Sequence, residues 1–460
     1  MVPPAPPARR DIARRINRWI AFMSSRSQRR KRRPAPRTAA PDPEPTGPRA
    51  MLSRLGPGLV TGAADDDPSG IATYSQVGAQ FGYGMSWTLI FGFPLLIAIQ
   101  SVAAVIGAVT GRGIAQNLRA HYPGWLLRTV VLLLLIANVI NIGADLGAMA
   151  AAVNLVVGGP VLLYAFLFGA FCVTLEIVTS YERYASILKW STLSLFAYVG
   201  VLLVAGVDWP EALRGMAVPE FAFDSDHATA LVAVLGTTIS PYLFFWQAGQ
   251  EVEEQRRRHV KPLHVTPRSR ATAEIRRIRT DTLIGMGFSH LTALAILVAT
   301  AATLRVHGIT NIESSAQAAE ALRPIAGDFA FALFAIGIIG TGLLAVPVLA
   351  GSAAYAVSET FDWTEGLNRR PKEAKAFYAT IAVATLGGIA INLLPIDPVK
   401  ALYWAAVVNG VLAAPLMAVM MLIARNRKAM GRMTLSLPMT VMGWSATAIM
   451  AAASLALLLV

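Results

Sequence analysis

The chain has 460 residues, of which 55% are apolar and only 15% charged, and its apolar residues come in repeated runs near the length that crosses a bilayer. This predicts an all-α polytopic membrane protein and excludes a soluble domain. The net charge of +13 does not indicate a nucleic-acid partner, because residues 1–54 hold 14 Lys/Arg against three Asp/Glu and therefore carry nearly all of the excess.

The basic tail, residues 1–54, is predicted to be a cytoplasmic region separate from the transmembrane domain at 55–460. Residues 11–23 place five apolar side chains on one helical stripe and three arginines elsewhere, which predicts an amphipathic helix on anionic lipids. The Pro-rich stretch 34–48 predicts an extended linker. A disordered tail that only fixes orientation remains an alternative. No apolar segment with a small-residue cleavage site follows the basic residues, so no secretory signal peptide is predicted.

Hydropathy along the rest of the chain predicts eleven transmembrane helices. They are expected at residues 55–80, 86–109, 126–156, 160–178, 185–206, 228–250, 281–304, 327–357, 374–395, 399–424 and 436–459.

The first predicted span contains three consecutive carboxylates, Asp65, Asp66 and Asp67, followed by Pro68. Ionisable groups inside a membrane are tolerated where they pair, line a cavity or bind an ion, and a proline frees backbone carbonyls that need partners. The pattern therefore predicts a broken helix built around a cation.

The sixth predicted span contains a similar interruption, a small polar run with Pro241 at its centre. Two broken helices five spans apart predict a repeat, and because five is odd the second copy enters the membrane from the opposite side. Spans 1–5 and 6–10 would then form a 5+5 inverted repeat, with a substrate site between the two breaks. Two unrelated proline kinks are the alternative.

The connecting loops predict the orientation. Lys and Arg concentrate in the tail and in alternate loops, whereas the opposite loop 207–227 carries five Asp/Glu. The positive-inside rule therefore predicts a cytoplasmic N-terminus and an external C-terminus. The basic loops are 110–125, 179–186, 251–280, 358–373 and 425–435. The lone Cys172 lies in a span and is predicted to be a buried apolar residue without a disulfide.

Stretch 67–73 reads Asp-Pro-Ser-Gly-Ile-Ala-Thr and is followed by Gly-Ala-Gln at 78–80. It resembles the first-helix signature of Nramp divalent-metal transporters, Asp-Pro-Gly-Asn-Ile-Ala-Thr, and the run Thr-Gly-Arg-Gly at 110–113 and Asp145 support the likeness. The resemblance spans about 55–460. It implies the inverted-repeat fold of the amino acid-polyamine-organocation superfamily, in the inner membrane of a bacterium.

Several ligands of that family are replaced in this chain. The family's Asn falls on Gly70, its Met-Pro-His on Ser240, Pro241 and Tyr242, a second His on Gln247 and the third-helix Glu on Ala148. These changes resemble the Nramp-related magnesium transporters. Loss of the soft thioether independently favours hard ions such as Mg²⁺ and Mn²⁺, and the smaller side chains make room for a partly hydrated ion.

Asp67 is the anionic metal ligand predicted first. The family pattern implies that the backbone carbonyls of Ala64 and Thr237 join it, beside Gly70 and Ser240. Weaker candidates, acting through water, are Tyr242, Gln247 and Asn409, although Tyr242 and Asn409 serve equally well as interhelical hydrogen-bonding residues.

Proton coupling is not expected, because both family histidines and the third-helix Glu are absent and Asp145 is the main candidate left. The sequence therefore predicts an uncoupled importer of Mg²⁺ and Mn²⁺ that is not an enzyme and needs no cofactor or obligatory protein partner. Two alternatives are a proton-coupled Mn²⁺/Fe²⁺ importer and a sodium-coupled transporter of an organic solute. The inner-end carboxylates Glu251, Glu253 and Glu254 are either a cation-attracting vestibule or a solvated helix end paired with Arg256 to Arg258.

Overall fold

The computed structural model describes residues 57–179 and 195–459, and within these ranges all regular secondary structure is helical. The predicted amphipathic helix 11–23, the linker 34–48 and the loop 179–186 beyond Thr179 lie outside the described residues. The transmembrane domain is therefore described alone.

The first half of the domain begins with a helix in two pieces. Its described helices are α1 (Pro57–Asp65), α2 (Pro68–Phe81), α3 (Trp87–Thr110), α4 (Ile114–His121), α5 (Gly124–Val157), α6 (Val161–Val178), α7 (Phe196–Val204) and α8 (Trp209–Ala217). A 3₁₀ turn, Gly82–Met85, joins α2 to α3.

The second half also begins with a helix in two pieces. Its helices are α9 (Ser225–Thr238), α10 (Pro241–Arg257), α11 (Arg268–Thr300), α12 (Ser315–Glu320), α13 (Arg323–Ala326), α14 (Ala330–Phe361), α15 (Lys375–Ile391), α16 (Pro398–Arg425), α17 (Arg427–Met430) and α18 (Leu437–Leu459). Helix α11 runs on into a π-helical turn, Ala301–Arg305.

Each predicted span corresponds to a helix. Eight helical segments of the described residues are long and apolar enough to cross a membrane. The other three spans are the broken first one, the fifth, described only from residue 195 onward, and the ninth, the shorter apolar helix α15. The predicted all-α fold with breaks in helices 1 and 6 is confirmed.

The predicted boundaries of the seventh helix are wrong. It begins at Arg268 rather than at 281, so much of the predicted loop 251–280 is helix. Hydropathy marks where a helix leaves the hydrocarbon, whereas the backbone stays helical into water when side chains support it. Here Arg277 pairs with Glu251 at 3.2 Å and Arg258 with Glu274 at 2.7 Å, which joins the extended ends of α10 and α11.

Helix α1 packs closely against α11. A Cβ placed on Gly62 would lie 2.2 Å from the carbonyl group of Gly285, so small residues allow the two backbones to touch. At one end of this contact the Gly58 amide donates to Asp281 Oδ2 at 2.8 Å, and at the other Ser289 Oγ donates to Asp65 Oδ2 at 2.7 Å. These contacts fix the end of α1, and hence the first break, inside the protein.

Candidate metal site at the two helix breaks

The first break is held open by Asp67. Its backbone is extended, and its Oδ1 accepts from the Gly70 amide at 2.8 Å and from Ser69 Oγ at 2.7 Å. An aspartate N-cap followed by Pro68 favours the start of a helix. The aspartate side chain accepts a hydrogen bond from a free backbone amide, and proline has no backbone N–H that would need a partner. The sequence therefore interrupts the helix between α1 and α2. The last carbonyls of α1, including that of Ala64, are left without helical partners.

The second break is built differently. Ser240 stands at the N-cap position of α10, but its hydroxyl donates backwards, to Thr237 O at 2.8 Å and Gly236 O at 3.0 Å. Pro241 then starts α10. A carbonyl oxygen has two lone pairs, so the Thr237 carbonyl keeps one for another donor or a cation.

The two breaks meet at Tyr242. Its hydroxyl lies 3.1 Å from Ala64 O and 3.2 Å from Asp67 Oδ2, and its one proton can be donated to only one of them at a time. A Cβ on Gly70 would lie 3.3 Å from Thr237 Oγ1, so α2 also approaches α9 here. Six predicted residues are thus neighbours, and each is buried: Ala64, Asp67, Gly70, Thr237, Ser240 and Tyr242.

The other two predicted residues have partners elsewhere. Gln247 accepts from Gln100 Nε2 at 2.5 Å and donates to Thr282 Oγ1 at 3.0 Å. Asn409 exchanges two hydrogen bonds with Asn141, at 2.9 and 3.1 Å. Both amides therefore join helices in this structure, which matches the interhelical alternative for Asn409.

Asp145, in the middle of α5, is fully buried, and neither of its carboxylate oxygens has a hydrogen-bond partner among the described residues. It lies one helical turn from Asn141 on the same face. An unsatisfied buried carboxyl is costly, so this group is expected to bind a proton, a water or a cation.

The sequence did not predict Ser289, the partner of Asp65, because a serine in an apolar helix carries no specific signal.

The carboxylates predicted to lie at the inner end of α10 are only in part a solvated helix end. Glu254 pairs with Arg257 and Arg258, as one alternative predicted. Glu253 instead is buried and accepts from the Tyr355 hydroxyl, from the Leu367 amide at 2.9 Å and from Asn368 Nδ2 at 2.8 Å. We call these four residues, Glu253, Tyr355, Leu367 and Asn368, the inner latch.

Beside the inner latch, Arg256 lies 3.7 Å from the Glu365 carboxylate. Burial raises the pKa of Glu365 to about 7, although the arginine opposes the shift. The C-terminal end of α10 is therefore tied to the connection between α14 and α15.

The donor set at the breaks consists of oxygens: one carboxylate, two backbone carbonyls and hydroxyl groups. Among the described residues, no group of three or more His, Cys, Asp or Glu side chains could hold a metal ion. A single carboxylate with carbonyls leaves several coordination positions to water, which suits a hard cation that keeps part of its hydration shell.

Tyr242→Phe tests the contact between the breaks. Losing one hydrogen bond from a hydroxyl to a carboxylate or carbonyl acceptor costs about 1 kcal/mol of free energy. We expect the KM for metal uptake to rise about fivefold, because Asp67 and Ala64 lose their shared donor. The matched control is Tyr164→Phe, which removes the bond from Tyr164 to Gly158 O far from the breaks. Equal KM values for the two variants would contradict the role of Tyr242.

Comparison with known proteins identifies relatives over most of the chain. The family model described as "Nramp: Natural resistance-associated macrophage protein-like" matches residues 58–460. The divalent metal cation transporter MntH of Burkholderia ambifaria is 26% identical over 412 residues, covering 88% of both chains. MntH of Deinococcus radiodurans is 24% identical over 415 residues, covering 87% of this chain and 88% of that one.

Solved structures show the same fold. The Eremococcus coleocola manganese transporter superposes with a TM-score of 0.71 at 16% identity, covering 89% of this chain and 87% of that one. MhsT in complex with L-phenylalanine gives a TM-score of 0.60 at 15% identity, covering 88% and 98%. These likenesses support the inverted-repeat transporter fold.

Proposed function

The chain belongs to the Nramp family, and from this premise we propose that it is a secondary transporter that imports Mg²⁺ and Mn²⁺ as partly hydrated ions, without moving protons. It is an integral membrane protein and not an enzyme. We further propose that it lies in a bacterial inner membrane with its basic loops in the cytoplasm, and that its basic tail contacts anionic lipids.

The observation that carries this proposal is the all-oxygen donor set where the two breaks meet. Asp67 supplies the negative charge, and the carbonyls of Ala64 and Thr237 lie at the ends of α1 and α9, where helical partners are missing. Mg²⁺ prefers oxygen ligands and dehydrates reluctantly. The site therefore suits an ion that exchanges only some of its waters for protein oxygens.

Gly70 and Ser240 supply the space that such an ion needs. Gly70 has no side chain facing Thr237 and Asp67, and the Ser240 hydroxyl turns back onto the end of α9. Neither residue offers a soft ligand. A site of this kind discriminates little against Mg²⁺, because soft donors are what favour transition metals over it.

Import needs no proton gradient. A divalent cation that enters a cell gains about 4.6 kcal/mol per 100 mV of membrane potential, which corresponds to about three decades of accumulation. At the sixth-helix positions where relatives of this family carry histidine, this chain has Tyr242 and Gln247, which donate to Asp67 Oδ2 and to Thr282 Oγ1 and carry no imidazole.

The test is flux in liposomes that contain a trapped pH dye. Mg²⁺ or Mn²⁺ influx driven by a potassium-diffusion potential should leave the internal pH unchanged. Liposomes without protein, with the same potential, give the background leak. If neither ion enters, the proposed function is wrong.

A proton-coupled Mn²⁺/Fe²⁺ importer is the second candidate, and the observation that favours it is the buried carboxylate of Asp145, which has no hydrogen-bond partner among the described residues. That mechanism predicts internal acidification during metal influx, abolished by Asp145→Asn. Acidification of this kind would replace the uncoupled mechanism with the coupled one.

A further inference from the structure

A cavity of about 530 Å³ lies beyond the metal site, at the ends of helices α2, α9 and α16. Under the proposed orientation it faces the outside, and we call it the outer vestibule. Its polar lining includes Gln76, Gln80, Asp226, Thr229, Asn311 and Lys400.

The outer vestibule lies further along the two half-helices, α2 and α9, that extend from the metal site. Ala72 lines it five residues after Asp67, which is about 8 Å along α2 at 1.5 Å per residue. Thr229 lines it eight residues before Thr237, about 12 Å along α9. Asp67 itself is only 1% exposed, so an ion in the vestibule has not yet reached the site.

One wall of the vestibule is held in place by Gln76. Its Oε1 accepts from the Ile312 amide at 2.8 Å, and its Nε2 lies 3.4 Å from Thr310 O. The connection after α11 is therefore tied to α2, and these hydrogen bonds hold that side of the cavity in place.

The size and chemistry of the vestibule fit a hydrated cation. Six waters occupy about 180 Å³ at roughly 30 Å³ each, well within the cavity. Amide, hydroxyl and carbonyl groups can bond to such waters, and the exposed carboxylate of Asp226 attracts the charge without displacing them. Lys400 opposes the attraction, so the balance between these two charges sets how strongly the ion is held.

We propose that the outer vestibule is a capture site for a fully hydrated divalent cation, bound through its waters, in which Asp226 favours occupancy and Lys400 limits it. The proposal rests on the proposed function and adds a second site to it. Binding through water means that capture is electrostatic, with little preference among divalent ions.

The experiment measures initial rates of Mg²⁺ uptake into proteoliposomes at a fixed potential. Asp226→Asn should raise the KM about threefold to tenfold at low ionic strength without changing the maximal rate, because transfer at Asp67 is untouched. Lys400→Gln should lower the KM by a similar factor. Both effects should shrink in 0.5 M choline chloride, where screening is strong.

Glu211→Gln is the matched control. Glu211 is an exposed carboxylate on α8 that does not line the vestibule, so the variant removes the same charge from the same side of the protein. Its KM should equal that of the wild type. If the KM of Glu211→Gln rises as much as that of Asp226→Asn, the effect comes from general surface charge, and the proposed capture site is wrong.

The outcomes separate the two proposals. If the wild type carries neither Mg²⁺ nor Mn²⁺, the proposed function fails. If it carries them and the Asp226 and Lys400 variants keep the wild-type KM, the capture site alone fails.

Discussion

Asp67→Ala is expected to lower Mg²⁺ and Mn²⁺ transport more than about a hundredfold, since loss of an outer-shell partner alone costs up to that factor in metal affinity. Asp67 is the carboxylate that lies where the two breaks meet, and its Oδ2 shares the Tyr242 hydroxyl with the carbonyl oxygen of Ala64. Without it, the ion would be held by neutral oxygens only. The loss is measured as uptake of ⁵⁴Mn²⁺ by radioactivity and as uptake of Mg²⁺ with a trapped fluorescent dye.

Folding must be separated from binding in this variant, because Asp67 is also the N-cap of α2 and its removal costs about 1 kcal/mol. Asp67→Asn keeps a good cap and removes the charge. Asp208→Ala removes a comparable cap from α8, where Asp208 accepts from the Glu211 amide at 3.1 Å, far from the breaks. Asp67→Asn should lose transport and Asp208→Ala should keep it. Normal KM values in both Asp67 variants would remove this residue from the site.

The double change Ser240→Met with Gly70→Asn is expected to shift selectivity from Mg²⁺ toward Mn²⁺ and Cd²⁺ by about tenfold or more, which is about 1.4 kcal/mol. Methionine adds a soft sulfur ligand and releases the Thr237 carbonyl from the Ser240 hydroxyl. Asparagine at 70 would fill the space between Asp67 and Thr237 and so favour a less hydrated ion.

Competition of Mg²⁺ and Cd²⁺ against Mn²⁺ uptake measures this shift. The single variants Ser240→Met and Gly70→Asn are the controls, and each should give a smaller change because the pocket must both soften and narrow. A Cβ at position 70 would be 3.3 Å from Tyr74 Cε2, so neighbouring side chains must yield by a few tenths of an ångström. Unchanged competition ratios in the double variant would show that ligand softness does not set selectivity here.

The breaks were predictable from the sequence because each depends on local chemistry. Asp67 with Pro68, and Pro241 after a run of small polar residues, end one helix and start another by hydrogen-bonding rules that act within a few residues. The span count was predictable for a similar reason, since bilayer thickness sets the length of apolar runs.

The partners of buried polar groups were not predictable. Gln247 is joined to Gln100 and Thr282, and Asn409 to Asn141, across distances in sequence that leave no local pattern. The burial of Glu253 was hidden as well, because a carboxylate next to an arginine run has the composition of a solvated helix end. Its Tyr355 and Asn368 donors come from distant parts of the chain.

Helix α10 connects the metal site to the inner latch. It begins beside Ser240 at the second break, and Glu253 lies about 18 Å further along its axis. Under the proposed function and orientation, opening of the inner side would exchange the hydrogen bonds of Glu253 for water, at a net cost of about 1 kcal/mol each. A ligand shifts such an equilibrium only by the difference in its affinity for the two states. If the metal binds the two states with different affinity, a variant that weakens the inner latch would by thermodynamic linkage also change the apparent affinity for the metal, although none of its atoms touches the ion.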